Sequence, residues 1–395
     1  MTEYRISNKM ADMKPSAIRE IFKSLTDPQI IAFAAGNPAP ESFPTEFIAK
    51  TAEKIMREQA VTALQYSITE GWPKLREAVA DRIKTKFGCG KEFDGTIITT
   101  GGQQGIELCC KALCDEGDVV ICEEPSFIGA LNAFRSIGAK PVGVPLEDDG
   151  INIEALEKTA KENPRAKLLY VIPTFQNPAG ITTSLEKRKA IYEIAKKYHL
   201  VILEDNPYGE LRFGGTDVPT IKSLDEDGIV VYCGSFSKIL SAGMRVGFVC
   251  APGPILQKMV VAKQVEDVHT NIFFQLICTE FMTAFDMDGH IRKTSELYKK
   301  KCGLMLSALD EKMPDYVKYT RPDGGLFLWC TLPDRIDIPT FVAKALENKV
   351  AVVPGSAFAS DQNAVTHSFR LNYSTPSDEQ IVRGIGILAE TLKQF

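Results

Sequence analysis

Between about residue 96 and residue 250 the chain alternates short runs of β-branched and apolar residues with stretches whose apolar positions recur at helical spacing. The apolar runs are residues 96–100, 119–122, 168–172, 200–203, 229–233 and 246–249. Each is short enough to be a fully buried strand, and the alternation predicts a mostly parallel sheet covered by helices on both faces. After Pro254 the pattern is helical to about residue 313 and then turns to shorter mixed elements, which marks a second, smaller lobe. The first fifty or so residues carry Gly36, Pro38, Pro40 and Pro44; they cannot form a domain alone and are expected to pack on the C-terminal lobe or cap the cleft. No internal repeat or low-complexity tract interrupts this plan.

Composition narrows the function classes. A chain of 395 residues exceeds what one hydrophobic core usually serves, so two lobes are expected. A net charge of −5 argues against nucleic acid or an anionic membrane as the main partner. The short basic clusters at 187–189 and 299–301 read as solvated helix faces. No apolar run approaches the ~20 residues that span a bilayer, and the first twenty residues are charged rather than signal-like, which predicts a cytoplasmic protein. The ten cysteines include no C-x-x-C pair. Cys109, Cys110 and Cys114 lie in an apolar helical stretch, so the thiols read as reduced and structural. The four histidines are scattered without metal-ligand spacing.

Candidate chemistry gathers at the strand ends, where open α/β sheets place their ligands. The run Ser235-Phe236-Ser237-Lys238 follows the strand at 229–233, and Arg245 comes seven residues later. A lysine amine condenses with a carbonyl to give an imine, while a guanidinium and hydroxyls hold a phosphate dianion. Pyridoxal 5'-phosphate carries both groups. Gly101, Gly102, Gln103 and Gln104 open a helix after the strand at 96–100, offering free N–H groups to a phosphate. Asp205, at the end of the strand at 200–203, is placed to pair with a protonated pyridine nitrogen. Tyr208 and Asn177, the latter in the turn Gln176-Asn177-Pro178-Ala179-Gly180, can both reach the ring's 3-oxygen.

Together with Gly36-Asn37-Pro38, Tyr66, Phe127 and Arg370, these motifs occur in an order that resembles the fold type I pyridoxal phosphate enzymes, specifically the class I/II aminotransferases, over nearly the whole chain. The resemblance implies an α/β fold: a large domain with a mostly parallel sheet flanked by helices (47–285), a smaller α/β domain (286–395) and an N-terminal segment (1–46) packed on the small domain and cleft. It implies that Lys238 binds the cofactor covalently and shuttles a proton, that Asp205 pairs with the ring nitrogen, and that Asn177 and Tyr208 hold the 3-oxygen. Gly102, Gln103, Gln104, Ser235, Ser237 and Arg245 would surround the phosphate, with Tyr66 reaching it from the other subunit of a homodimer. Phe127 would stack on the ring; Arg370, with Asn177 and Gly36, would receive the substrate. Two positions depart from the pattern: Gly102 stands where relatives often carry a hydroxyl, and Phe127 where many have Tyr.

The run Met13 to Ile21 is similar to the branch containing 2-aminoadipate, kynurenine and aromatic amino acid aminotransferases, in which Arg19 would cover the substrate and pair with a second carboxylate. The expected reaction is ping-pong transfer of an amino group between an amino acid and a 2-oxo acid such as 2-oxoglutarate. A lyase or decarboxylase on the same scaffold shares the cofactor residues. A sensor domain of a transcription regulator shares the branch, but the basic helix-turn-helix expected ahead of it is not seen in this sequence.

Overall fold

The computed structural model describes residues 4–11, 13 and 27–395. Arg19 lies outside the described residues.

Eight strands form one sheet, in the order Asp94–Thr99, Gly247–Pro252, Val230–Ser235, Val201–Asp205, Ala166–Val171, Val119–Glu124, Lys140–Glu147 and Gly150–Ile151. The central pairings are parallel, and Gly247–Pro252 runs against both of its neighbours. Period-two alternation explains why these strands are apolar throughout. Along Val119–Glu124, Val120 and Cys122 pack into one cluster with Ile106 and Leu108, while Val119 and Ile121 pack into another with Leu156 and Ile191. Leu168 and Tyr170 likewise face one side, Leu169 and Val171 the other.

Direction decides where the chemistry collects. The parallel strands ending at Val171, Asp205 and Ser235 deliver their following loops to one edge of the sheet. Because Gly247–Pro252 is antiparallel, its N-terminal end falls on that same edge. Arg245 therefore precedes its strand whereas Asp205 and Ser235 end theirs.

A second sheet of four antiparallel strands has the order Lys318–Tyr319, Phe327–Thr331, Ser368–Asn372 and Val353–Pro354. The helices Met287–Lys312 and Asp378–Leu392 pack together beside it. Near the N-terminus, Ile31–Ala32 pairs in parallel with Val350–Ala351. Among the described residues no helix is long and apolar enough to cross a membrane.

Two expectations need correction. The strand Lys140–Glu147 has no counterpart among the six runs read from the sequence, because Pro141, Gly143 and Pro145 break the apolar pattern. Proline is tolerated there because only the two-residue strand Gly150–Ile151 lies outside it. The basic clusters are not purely solvated faces either. Arg188 is fully buried and donates to the carbonyls of Thr183, Pro173, Val218 and Pro219 and to Thr174 Oγ1. Lys301 is also buried, with Nζ 2.6 Å from the Pro376 carbonyl. Each places a cation against backbone oxygens that would otherwise be desolvated without a donor.

Candidate active site

The shared sheet edge opens into a cavity of about 430 Å³. Lys238, Asp205, Tyr208, Asn177, Phe127, Arg370 and Gly36 line it, as do Gly102, Gln103, Ser235, Ser237 and Arg245.

At one end is a set of donors. The helix Gly102–Leu113 begins at Gly101, whose φ of 77° is left-handed. A Cβ there would lie 2.3 Å from Arg245 Nη2, so both conformation and space demand glycine. Gly102 differs: a Cβ would meet Cys233 Sγ at 3.7 Å, an ordinary contact. The turn therefore needs Gly101, whereas position 102 has room for a side chain's Cβ. Ser235 Oγ donates to Ser237 Oγ at 2.9 Å and accepts from Ser237 N at 3.1 Å, fixing both hydroxyls at the strand end. Arg245, itself in a left-handed conformation with φ 54°, has Nη1 3.1 Å from the Ala242 carbonyl. Helix N–H groups, two hydroxyls and a guanidinium together fit a phosphate.

In the middle stands Lys238, whose Nζ donates to the Gly36 carbonyl at 2.8 Å. Burial, together with the charges of Arg370 and Arg245, pulls its amine down to about 8. The lowered value increases the share of unprotonated amine, the nucleophilic form. Asp205 is buried, accepts from Tyr170 Oη at 2.8 Å, and is pushed up to about 7 by desolvation. A buried anion with one donor favours a cationic partner. Tyr208 packs edge-on against Phe327, and burial raises its hydroxyl above the ordinary phenol range.

Also on the cavity wall, Arg370 is buried with Nη1 2.8 Å from Asn177 Oδ1 and Nη2 3.0 Å from the Ala34 carbonyl. Its guanidinium lies over Phe327 at 4.1 Å and Phe358 at 4.9 Å. Its buried Nε finds no partner among the described residues. Desolvation depresses it to about 10. A cation held this way, with no carboxylate paired to it among the described residues, is suited to an incoming carboxylate.

Two residues of the expected set stand apart from these walls. Gln104 turns its side chain away, with Oε1 accepting from Thr100 N and Lys263 Nζ, which leaves only its backbone at the helix start. Tyr66 is 82% exposed, its ring edge on His269 at 5.8 Å, outside the cavity of its own chain. Sequence reasoning missed Tyr170, Phe327 and Phe358. Tyr170 carried a usable signal: it is the lone polar side chain in a run of apolar residues, 35 positions before its carboxylate partner.

The sequence matches the aminotransferase class I and II family over residues 28–388. The chain belongs to that family. It is a pyridoxal phosphate-dependent aminotransferase, and the donor set described above fits that cofactor. An aromatic-amino-acid aminotransferase of Thermococcus litoralis is 41% identical over 396 residues, covering 99% of this chain and 95% of that protein. A multiple substrate aminotransferase from Thermococcus profundus superposes with a TM-score of 0.94 at 38% identity, covering 98% of this chain and 97% of the other. An α-aminoadipate aminotransferase from Thermus thermophilus, solved with N-(5'-phosphopyridoxyl)-L-leucine, gives 0.90 at 39% identity over 98% and 97%. The α/β fold and the cofactor read from the sequence stand with these relatives. All ten cysteines are free, nine of them buried.

Proposed function

We propose that this aminotransferase works by ping-pong exchange, taking the amine of a large L-amino acid and passing it to a 2-oxo acid such as 2-oxoglutarate. The observation that carries this reading is one cavity faced by both the Lys238 amine and the Arg370 guanidinium. Pyridoxal phosphate, when bound, supplies an aldehyde carbon for the amine and a ring that accepts the electron pair of the substrate Cα. Arg370, with Asn177 beside it, binds the α-carboxylate and so fixes which carbon faces Lys238. Lys238 Nζ would take the proton from the substrate Cα and deliver it to the carbon that receives the amine, and carry it back when the 2-oxo acid takes the amine. Asp205, held by Tyr170, would keep a proton on the ring nitrogen. Asn177 and Tyr208 would donate to the ring oxygen. Gly102, Gln103, Ser235, Ser237 and Arg245 would hold the phosphate, and Phe127 would support the ring face.

The donor class follows from the walls. Phe327 and Tyr208 line the substrate end, and among the described residues Arg370 and Arg245 are the guanidinium groups lining the cavity. With Arg370 on the α-carboxylate and Arg245 on the phosphate, aromatic and other large apolar side chains meet apolar surface. Dicarboxylic donors such as 2-aminoadipate need a further cation, the role read for Arg19. The similar proteins include enzymes named for both donor classes.

The reading also holds the enzyme to be a cytoplasmic homodimer that shares its active sites. Supporting the dimer, Val61, Leu64, Val265 and Val268 are exposed in the segments that carry Tyr66 and its neighbour His269. The chain divides into a segment 1–46, a large lobe 47–285 and a small lobe 286–395, a division supported by each large sheet lying wholly within one lobe.

A screen of amino donors, first without and then with 2-oxoglutarate, tests the reaction. Without acceptor, phenylalanine or tyrosine should release one equivalent of 2-oxo acid per active site and then stop; adding 2-oxoglutarate should restart turnover and yield glutamate. Release of carbon dioxide, or of oxo acid beyond one equivalent without acceptor, would refute it.

A further inference from the structure

Behind the phosphate end of the cavity, on the side away from it, lies a polar cluster that the transfer reaction does not use directly. Its centre is Lys263, fully buried in the helix Gly253–Glu266. Lys263 Nζ lies 2.7 Å from Gln104 Oε1, 2.9 and 3.0 Å from the two oxygens of Asp267, and 3.0 Å from Thr270 Oγ1. Each of these acceptors is a group of the protein itself. Asp267 in turn accepts from Thr100 Oγ1 at 2.6 Å and from Gln104 Nε2 at 2.8 Å. Gln104 Oε1 also accepts the Thr100 backbone N–H at 2.7 Å. The corner from Thr100 to Gln104, which presents Gly102 and Gln103 to the cavity, is thus stapled from behind by one glutamine whose two ends are both held by the Lys263–Asp267 pair.

We propose that Lys263 and Asp267, acting through Gln104 and Thr100, are positioning residues for the phosphate end of the cofactor. The proposal rests on the reading that the corner at 101–104 receives that phosphate. Two physical effects follow. The hydrogen bonds fix the direction of the first helical N–H groups, which have no intrahelical partners of their own. The buried ammonium also neutralises Asp267, whose carboxylate would otherwise repel a dianion close by. Gln104, expected from the sequence among the cofactor-binding residues, directs its side chain into this cluster and keeps its backbone at the helix start.

The test compares binding of pyridoxal 5'-phosphate with binding of pyridoxal, which lacks the phosphate, to cofactor-stripped protein by equilibrium fluorescence titration. Lys263→Met strands Asp267 as an uncompensated anion. It should weaken pyridoxal phosphate by about tenfold or more, the order expected for one charge acting across partly desolvated protein, while pyridoxal binds as in the unmodified protein. Lys263→Met combined with Asp267→Asn should regain most of that loss, since no net charge remains. Equal weakening of both ligands, unchanged pyridoxal phosphate affinity, or no recovery in the double variant would overturn the proposal. Should Lys263→Met fail to fold, Gln104→Met, which leaves the ion pair whole, takes its place. A loss confined to the phosphorylated ligand would support the positioning role, and no such selective loss would overturn it. If the unmodified protein itself binds pyridoxal phosphate no more tightly than pyridoxal, the phosphate site falls, and the positioning role with it.

Discussion

Asp205 shows how a single side chain is set by its surroundings. Without cofactor, burial holds its carboxyl at about 7, against about 3.9 in an unfolded chain. Between those values the unfolded chain releases a proton that the folded one keeps. The stability of the cofactor-free protein therefore falls as pH rises through this window. Glu123, buried and also raised to about 7, contributes in the same direction. Burial raises Glu204 as well; Asp205→Asn removes one of these titrations, so thermal unfolding of cofactor-free variant between pH 5 and pH 8 should decline less steeply, and the variant should be the more stable at pH 8. The same change should lower kcat by roughly 10²-fold or more, because the ring nitrogen loses its anion. A decline parallel to that of the unmodified protein, or a near-normal kcat, would contradict this account. Asp205 was legible in the sequence because a carboxylate at the end of an apolar strand is conspicuous. Tyr170 stood out as a lone polar side chain but its role did not, since its partner lies on the adjacent strand and only the register of Leu168–Val201 to Val171–Glu204 brings the two together.

At the scale of elements, strand ends were readable and the devices that stiffen the loops after them were not. The turn that carries Asn177 follows Ala166–Val171 and returns to the helix Leu185–Lys197. Arg188, on that helix, clamps both ends of the loop through the Pro173 and Thr183 carbonyls. In the sequence it is one of three adjacent basic residues, and nothing local separates it from its neighbours. Its burial follows from the loops at 173–183 and 218–219 folding over it. Lysine at this position keeps the charge but cannot fork to five acceptors. Arg188→Lys should therefore cost roughly 3–5 kcal/mol in urea unfolding, and it should raise KM for amino donors by loosening Asn177. A variant as stable as the unmodified protein would show that the clamp is dispensable.

The whole molecule raises a question one chain does not answer: what Tyr66 does in solvent. If it completes the phosphate site of a second subunit, two crippled proteins should repair each other. Lys238→Ala subunits, lacking the amine, mixed with Tyr66→Ala subunits should form hybrid dimers in which one site holds both an intact Lys238 and an intact Tyr66. Activity in the hybrid well above that of either parent is expected, measured after subunit exchange and separation by differential tagging. Inactive hybrids of proven composition would contradict the shared site. Here the sequence was informative only through resemblance, because an exposed tyrosine has no local pattern that distinguishes it from any surface aromatic.

The contact between Arg370 and Ala34 joins positions 336 residues apart. A nascent polypeptide emerging N-terminus first exposes Gly102, Ser235, Lys238 and Arg245 well before Arg370 leaves the ribosome. The half of the cavity offering phosphate-type donors can thus be assembled while Arg370 is still being synthesised. Chain order would then let a ligand of those donors bind first, and such binding would favour the folded form of the part already made.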